Sequence, residues 1–494
     1  MVLPLPATPS ASVDKATPSS PLPQSSAPTS GGKNALAWLA SISLFAVAIV
    51  GSFAGAGTSL RLLFPLGALV VGLFLYFKYP VFYIGYTCWI WFATPFIRRV
   101  ADYYRGSFDE SSLMLLAPYL VGLITLLTVF RYLPIAHRTG DLPFILAMGA
   151  VFFGFLVGVI NNPMVTVART FLDWMPPVLF GFHISMCWRH YPDIRKNLES
   201  TFLWTCIITG SYGMYQYLVA PYWERYWLEN VGNISFGNPA PMAIRVWSTM
   251  NSPPPYGCVM MAALLLLFVN QSWLRLPAAA AGYLAFLLSL VRAAWAGWLI
   301  GLLVLIPSLK TQVQMRVIVS IVVMALCVVP LTVVEPFADV IGDRIESFTN
   351  VQNDTSYKAR AEIYDQNLGT ALSDFIGKGL GGTWVVKENG QAERVALDSG
   401  ILDTFFTLGW FGGVPYLLGI LMLLYAQFHG NESLLDPFVS ASRAIAMSFA
   451  ATLMLGPFMT GLPGLVFWGF LGAGMAARKY YRSSHYKRLK ERSP

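Results

Sequence analysis

The chain reads as an all-α polytopic membrane protein of about 14 transmembrane helices (12–14), with one long, partly helical loop on the outer side. Three observations predict this. Only 12% of the 494 residues are charged while 55% are hydrophobic, and a soluble domain carries about 25% charged residues. Apolar runs of roughly 17–25 residues recur along the chain, each long enough to cross a bilayer core as a helix. The period-2 alternation that marks a transmembrane barrel is absent.

Residues 1–33 are rich in Pro, Ser, Thr and Ala. They cannot bury a core and are expected to be disordered on the cytoplasmic side. No secretory signal peptide is expected: the first apolar run begins near Ala35 and lacks a small-residue cleavage site. The predicted spans are 35–56, 60–77, 79–97, 112–130, 142–160, 170–188, 199–219, 254–270, 274–290, 292–309, 315–334, 398–428, 438–457 and 461–477. The resulting organisation is a helical bundle over 34–334 that includes a polar loop at 220–253, a long loop at 335–397, a second bundle at 398–477, and a basic tail at 478–494. That tail holds Arg478, Lys479, Arg482, Lys487, Arg488, Lys490 and Arg492 against Glu491 alone, and it supplies most of the net charge of +8. It reads as a cytoplasmic anchor obeying the positive-inside rule, not as a nucleic-acid surface. Counting back from it puts both termini inside, and puts the 220–253 loop, the turn before Arg292 and the 335–397 loop outside. The outer stretch from Arg98 and Arg99 to Arg105 breaks the rule, and such misplaced cations are candidates for binding an anion.

The five cysteines, Cys88, Cys187, Cys206, Cys258 and Cys327, form no C-x-x-C pair and lie in or beside apolar runs. They read as small buried hydrophobes. The loop at 220–253 carries Tyr222, Trp223, Tyr226 and Trp227, either an interfacial aromatic belt or a set of faces for sugar rings. Within 335–397 a helix is expected from a cap at Asp354 or Thr355 to Gly377, since Tyr357, Ala361, Tyr364, Leu368, Leu372 and Phe375 recur at helical spacing. Gly377-Lys378-Gly379-Leu380-Gly381-Gly382 follows. It is not a phosphate-loop pattern and is expected to be a flexible link.

Arginines carry the chemical reading. Arg245 precedes the eighth span, Arg292 interrupts the apolar run LSLVRAAWAGW, and Arg344 and Arg360 lie in the long loop. A charge within or beside an apolar helix is costly and is usually paired or functional. The guanidinium fork matches phosphate oxygens, so several arginines at one membrane face suggest a diphosphate head group. The alternative is snorkelling to lipid phosphates or pairing with Asp343, Glu346 or Asp398. Tyr364, Lys378 and Arg169 join the candidate substrate-binding set, with Arg98, Arg99, Trp223 and Trp227. Asp398 opens the twelfth span and reads either as a helix N-cap or as a general base. Asp403, further into the same span, is a second carboxylate candidate.

In order and spacing these residues resemble the O-antigen ligase/polymerase superfamily. The features are the arginine before Asn251-Ser252-Pro253, then SLVRAAWAGW, then Arg360-x-x-x-Tyr364 with the downstream GKGLG, then DSGILDTFFTLGWFGG. The resemblance covers about residues 220–420. It implies a metal-independent glycosyltransferase of the membrane-embedded GT-C type that needs no cofactor. It implies a glycan donor on undecaprenyl diphosphate, used at the periplasmic face of the bacterial inner membrane, with membrane lipids, a flippase and chain-length or export proteins as companions. Arg245 and Arg292 match family arginines expected to grip the diphosphate. Asp398 stands where ligases of the family carry histidine, which favours a polymerase of exopolysaccharide, capsule or O-antigen repeat units over a ligase. A flippase of lipid-linked oligosaccharide is the rival of another class. It should show repeated halves and charges spread through the membrane depth, and neither is evident.

Overall fold

The computed structural model describes residues 35–136, 139–309, 373–386, 392–394, 397, 399–430 and 432–492, together with isolated positions at 311, 314, 315, 318, 368, 369 and 371. The N-terminal segment 1–33, nearly all of the span expected at 315–334 and most of the helix expected in the long loop lie outside the described residues.

The elements follow the apolar pattern. Helices α1 (Ala35–Phe53), α2 (Gly57–Lys78) and α3 (Pro80–Arg105) come first, and α3 runs eight residues past its expected end at 97. The fourth run breaks into a 3₁₀ turn (Leu113–Leu116), α4 (Ala117–Leu123) and α5 (Leu126–Ala136). Then come α6 (Leu142–Asn161), α7 (Met164–Met186), α8 (Tyr191–Val219), the short α9 (Tyr222–Val231), α10 (Pro253–Leu267), α11 (Arg275–Leu288) and α12 (Arg292–Leu305). A small antiparallel hairpin pairs β1 (Trp384–Val386) with β2 (Ala392–Arg394). The chain ends with α13 (Gly400–Phe428), the one-turn α14 (Glu432–Leu435), α15 (Pro437–Ala451) and α16 (Gly461–Arg492). The basic tail is therefore a continuation of the last helix.

Among the described residues six helical stretches are both long and apolar enough to cross a membrane, and the helices around 253–267, 275–288 and 292–308 are shorter apolar ones. The exposed faces agree with a bilayer as solvent. On α13 the outward stripe is Phe411, Val414, Leu418, Leu421, Tyr425 and Phe428, all well exposed. Apolar residues at a helical repeat on the outside, rather than the inside alone, mark a lipid-facing helix. The core lies where α16 packs along α7, α13 along α6, α11 along α8, and α12 along α15. A smaller apolar cluster joins α1 to α4. Cys88, Cys206 and Cys258 are buried and Cys187 partly so, all as free thiols. Cys327 lies outside the described residues.

Loops gather at two ends. At one, Asp436 accepts from Tyr191 (2.6 Å) and Tyr481 (3.1 Å) and pairs with Arg195 (3.1 Å), while Lys479 pairs with Asp141. At the other lie the 106–112 turn, the 232–252 segment and the α11–α12 turn. The α6–α7 turn, the 377–382 run and the start of α13 lie at that end as well.

The 377–382 run corrects the expectation of a flexible link. It is a wedge between α6 and a break in α13. At Gly409 the backbone of α13 leaves the helix (φ 61°, ψ −168°). A break in a membrane helix frees carbonyls and N–H groups, each costing several kcal/mol if left in an apolar surround. The wedge satisfies them. Lys378 N–H donates to Phe406 O (2.9 Å), Gly379 N–H to Thr407 O (2.9 Å), and Phe411 N–H to Phe375 O (3.2 Å). On the other side Leu380 N–H donates to Gly154 O (2.8 Å), and Asn162 Nδ2 donates to the carbonyls of Lys378 (2.8 Å) and Leu380 (3.1 Å). Glycine is required because the backbones touch. Gly379 has φ +75°, and a Cβ there would overlap the backbone of Gly158.

Gly379→Ala is therefore expected to lower the melting temperature far more than Gly106→Ala. Gly106 shares the left-handed conformation (φ +72°), but a methyl group there would meet nothing within 4 Å. It reports the conformational cost alone, about 1–2 kcal/mol. Equal thermal shifts for the two variants in detergent would refute the wedge.

Candidate active site

The site builds from one carboxylate. Glu224, in the first turn of α9, has a fully buried side chain. It pairs with Arg99 Nε (2.8 Å) and accepts from Tyr212 OH (2.6 Å) and Trp247 Nε1 (3.1 Å). The terminal nitrogens of Arg99 reach the carbonyls of Ser248 and Met250, both at 2.6 Å. Arg99 is thus wholly enclosed, with Trp227 facing its guanidinium at 5.5 Å. Arg98 pairs with Asp102 (2.7 Å), reaches the Asp109 carbonyl and lies against the Phe108 ring. Arg105, the third cation of the stretch that breaks the positive-inside rule, also pairs with Asp102 (2.9 Å). Arg98 and Arg99 are spent on internal partners, and neither presents an open face to an anion in this structure.

These bonds hold an extended segment, 242–250, that has no helix to satisfy its backbone. Gln216 Oε1 accepts from Trp247 N–H (3.1 Å) and Ser248 N–H (2.8 Å), and Ser248 Oγ donates to Thr209 O (2.6 Å). Gly237 bridges Ile244, and Arg245 N–H donates to Phe236 O (2.9 Å). Met242 and Ser248 take positive φ (59° and 52°), a conformation that non-glycine residues keep only where the surroundings over-determine it.

The segment delivers Arg245. Its Nε donates to Ser289 O (3.2 Å), one terminal nitrogen to Leu290 O (3.1 Å) and the other to Ser235 O (2.8 Å). Val246 N–H adds a bond to Leu288 O (3.0 Å). Ser289 and Leu290 form the α11–α12 turn, and Leu290 has φ +53°. Arg292 is the next residue but one and opens α12, where it is half-buried. Arg245 is therefore the brace of the turn that presents Arg292. A cation at a helix N-terminus opposes the helix dipole, and the same position favours an anion.

The aromatic loop resolves into two roles. Trp227 is buried, stacked on Phe236 (6.0 Å between centroids, 6° between planes) and packed on Trp247. It is a small core, neither a belt nor an exposed sugar platform. Trp223 is half-buried, donates to Tyr212 OH (2.8 Å) and meets the Phe53 ring.

A second group surrounds the wedge. Lys378 pairs with Asp374 (3.3 Å) and leaves much of its side chain exposed. Burial alone would raise the Asp374 carboxyl, but the N–H groups of Gly377 and Ile376 and the Lys378 ammonium hold it below the ordinary range. Exposed Arg169 lies 4.7 Å over the Trp384 ring, whose Nε1 donates to Thr170 (3.2 Å). Ser399 caps α13, accepting from Leu402 N–H (3.3 Å). The capping role that the sequence offered to Asp398 thus belongs to its neighbour. Asp403 is buried one turn in and accepts from Thr407 (3.3 Å). Asp398, Arg344, Arg360 and Tyr364 lie outside the described residues.

The two groups approach each other through the turn after α15. A Cβ on Gly297, in α12 five residues past Arg292, would lie 3.2 Å from the Thr452 methyl, and one on Gly400 would lie 2.9 Å from Gly456 O. Sequence reading missed Glu224, Gln216 and Asn162. The signal was present for the first two, as polar side chains flanked by apolar and aromatic residues at the end of a span.

Residues 277–417 match a family model described as O-Antigen ligase, the kind of family that the order of motifs resembles. The match takes in Arg292, the wedge and the break in α13, and leaves Arg245 outside. No curated protein and no solved structure matches the chain. The apolar helices, with this match, indicate a multi-pass membrane protein, and the description of the matching family is that of a ligase.

Glu224→Gln is expected to leave Arg99 charged, buried and uncompensated, at a cost of about 3–5 kcal/mol. The exposed Glu229→Gln is the reference. Thermal unfolding in detergent should show a large loss for the first and almost none for the second; similar melting temperatures would remove Glu224 from the centre of the site.

Proposed function

We propose that this protein polymerises undecaprenyl-diphosphate-linked oligosaccharide repeat units, of exopolysaccharide, capsule or O-antigen, at the periplasmic face of the bacterial inner membrane. The reading takes about 14 spans with both termini cytoplasmic. The observation that carries it is the brace of Arg245 on the turn that presents Arg292, a fixed cationic helix N-terminus at the membrane surface, inside the segment that matches the family.

The chemistry is inverting glycosyl transfer of the GT-C type without a metal. An acceptor sugar hydroxyl attacks the anomeric C1 of the donor. A C–O bond forms, the bond from C1 to the diphosphate oxygen breaks, and the lipid diphosphate leaves with the electron pair. Arg292 stabilises the charge growing on that diphosphate, and a rigidly placed cation costs no reorganisation when the charge develops. Arg245 contributes by holding the turn. Asp398 takes the proton from the acceptor hydroxyl as general base. Support for this role is that Ser399 already caps the helix, so the carboxylate beside it is not needed for that purpose. Arg169, Lys378, Arg344, Arg360 and Tyr364 would bind the glycan and the diphosphate around the wedge and the loop above it. A flippase delivers the repeat unit, and chain-length or export proteins receive the product.

A second reading, a ligase that moves finished glycan from the same lipid carrier, is favoured by the description of the matching family. Deletion of the chromosomal copy separates the two. Single repeat units on the acceptor indicate a polymerase, accumulated lipid-linked polymer a ligase, and repeat units trapped inside the cell a flippase.

Arg292→Ala is expected to abolish chain lengthening while the protein still inserts; long polymer of normal length on a gel from that strain would sink the assignment. Asp398→Asn should cut the turnover rate by about 10²–10⁴-fold, and wild-type turnover would exclude it as the base.

A further inference from the structure

At the end of the bundle opposite the arginine turn, the start of α6, the second half of α13 and the basic end of α16 enclose a groove of about 990 Å³. Its wall is apolar: Leu418, Leu421, Met422 and Tyr425 run along α13, and three of them also belong to the lipid-exposed stripe of that helix. Its rim is cationic, with Arg478, Lys479 and Arg482 from α16.

The charges on this rim are not all spent. Lys479 is neutralised by the buried carboxylate of Asp141 and also donates to the hydroxyl and carbonyl of Ser185. Glu432, nearby, pairs with Arg443 (3.5 Å). Arg478 donates one terminal nitrogen to the Ala426 carbonyl (2.7 Å), its Nε is buried with no hydrogen-bond partner, and it makes no ion pair among the described residues. Arg482 stands one turn further along the same face and is exposed. Two guanidinium groups therefore meet the mouth of an apolar trough open to the bilayer.

We infer that this groove holds one anionic phospholipid of the adjoining leaflet, its phosphate on Arg478 and Arg482 and an acyl chain along Leu418–Tyr425. The polarity runs in the order an amphiphile requires: fork donors at the end of the helices and apolar side chains for about 10 Å toward the membrane interior. A free phosphate has no use for the apolar wall, and a neutral lipid leaves the two charges unmatched. Basic pockets between helices are the usual seat of anionic head groups. The site is independent of the catalytic reading, because it lies at the other end of the bundle and shares no residue with it.

The test is thermal unfolding of the purified full chain in detergent, titrated with dioleoyl phosphatidylglycerol, with dioleoyl phosphatidylcholine or with inorganic phosphate. Phosphatidylglycerol should raise the melting temperature saturably, and the other two should not. Arg482→Gln, exposed and without an ion pair among the described residues, should shift the midpoint about fivefold, the factor expected for one basic residue at an anionic surface. Arg478→Gln should do at least as much. An unchanged midpoint in Arg482→Gln, an equal response to phosphatidylcholine, or full stabilisation by phosphate alone would each overturn the assignment.

Discussion

A buried charge must be paired, and in this protein that requirement organises the face on which the candidate chemistry lies. Glu224 enters the interior only because Arg99, Tyr212 and Trp247 meet it there. Arg99 in turn spends its other donors on the carbonyls of Ser248 and Met250. An extended peptide that would otherwise leave its backbone unsatisfied is thereby fixed, and Arg245 is carried by that peptide. The brace on Ser289 and Leu290 then passes the order on to Arg292. A cation is held at a helix N-terminus by a chain of hydrogen bonds that begins at a carboxylate nearly seventy positions earlier in the sequence.

The glycine wedge solves the complementary problem. Breaking α13 at Gly409 makes room for an irregular segment between apolar helices, and irregular backbone survives in such surroundings only where protein satisfies it. The 377–382 run does so with main-chain groups on both sides, to α13 and to α6. Its glycines are there for close approach, not for mobility. Lys378, in the same wedge, is bonded through its N–H to Phe406 O of α13, and Trp384, just past it, meets Arg169 of α7. Ser399 ends up as the cap of that helix, so capping does not call on the acidic residue before it.

Both ends of the bundle hold enclosed polar networks, with Arg98 and Arg99 serving internal partners at the arginine-turn end and buried Asp436 and Asp141 holding Tyr191 and Lys479 at the other. They differ in the cations left over. The opposite end keeps Arg478 and Arg482 outside any ion pair among the described residues, beside an apolar trough. An enclosed network gives position, because desolvated bonds tolerate little displacement. An open cationic rim gives affinity for whatever anion the bilayer offers.

Much of this was legible in the residues. Hydropathy placed the long apolar helices, six of which are long enough to cross a membrane among the described residues, because a span must be long and apolar whatever it packs against. It did not place the break of the fourth run or the extra turns of α3. Arg245 and Arg292 stood out because a charge beside an apolar run is too costly to be idle. The order of motifs was enough to suggest the superfamily that residues 277–417 match. What the sequence could not separate was a cation that binds from a cation that braces. Arg98 and Arg99 looked like anion ligands by position, and only the fold brings Asp102 and Glu224 to them. Trp227 looked like a surface aromatic until Phe236 and Trp247 closed over it. The glycine run looked like a hinge until two helices were found pressed against it. In each case composition determined that a group needed a partner, and the tertiary structure decided which one, since partners far apart in the chain become neighbours only when the helices pack.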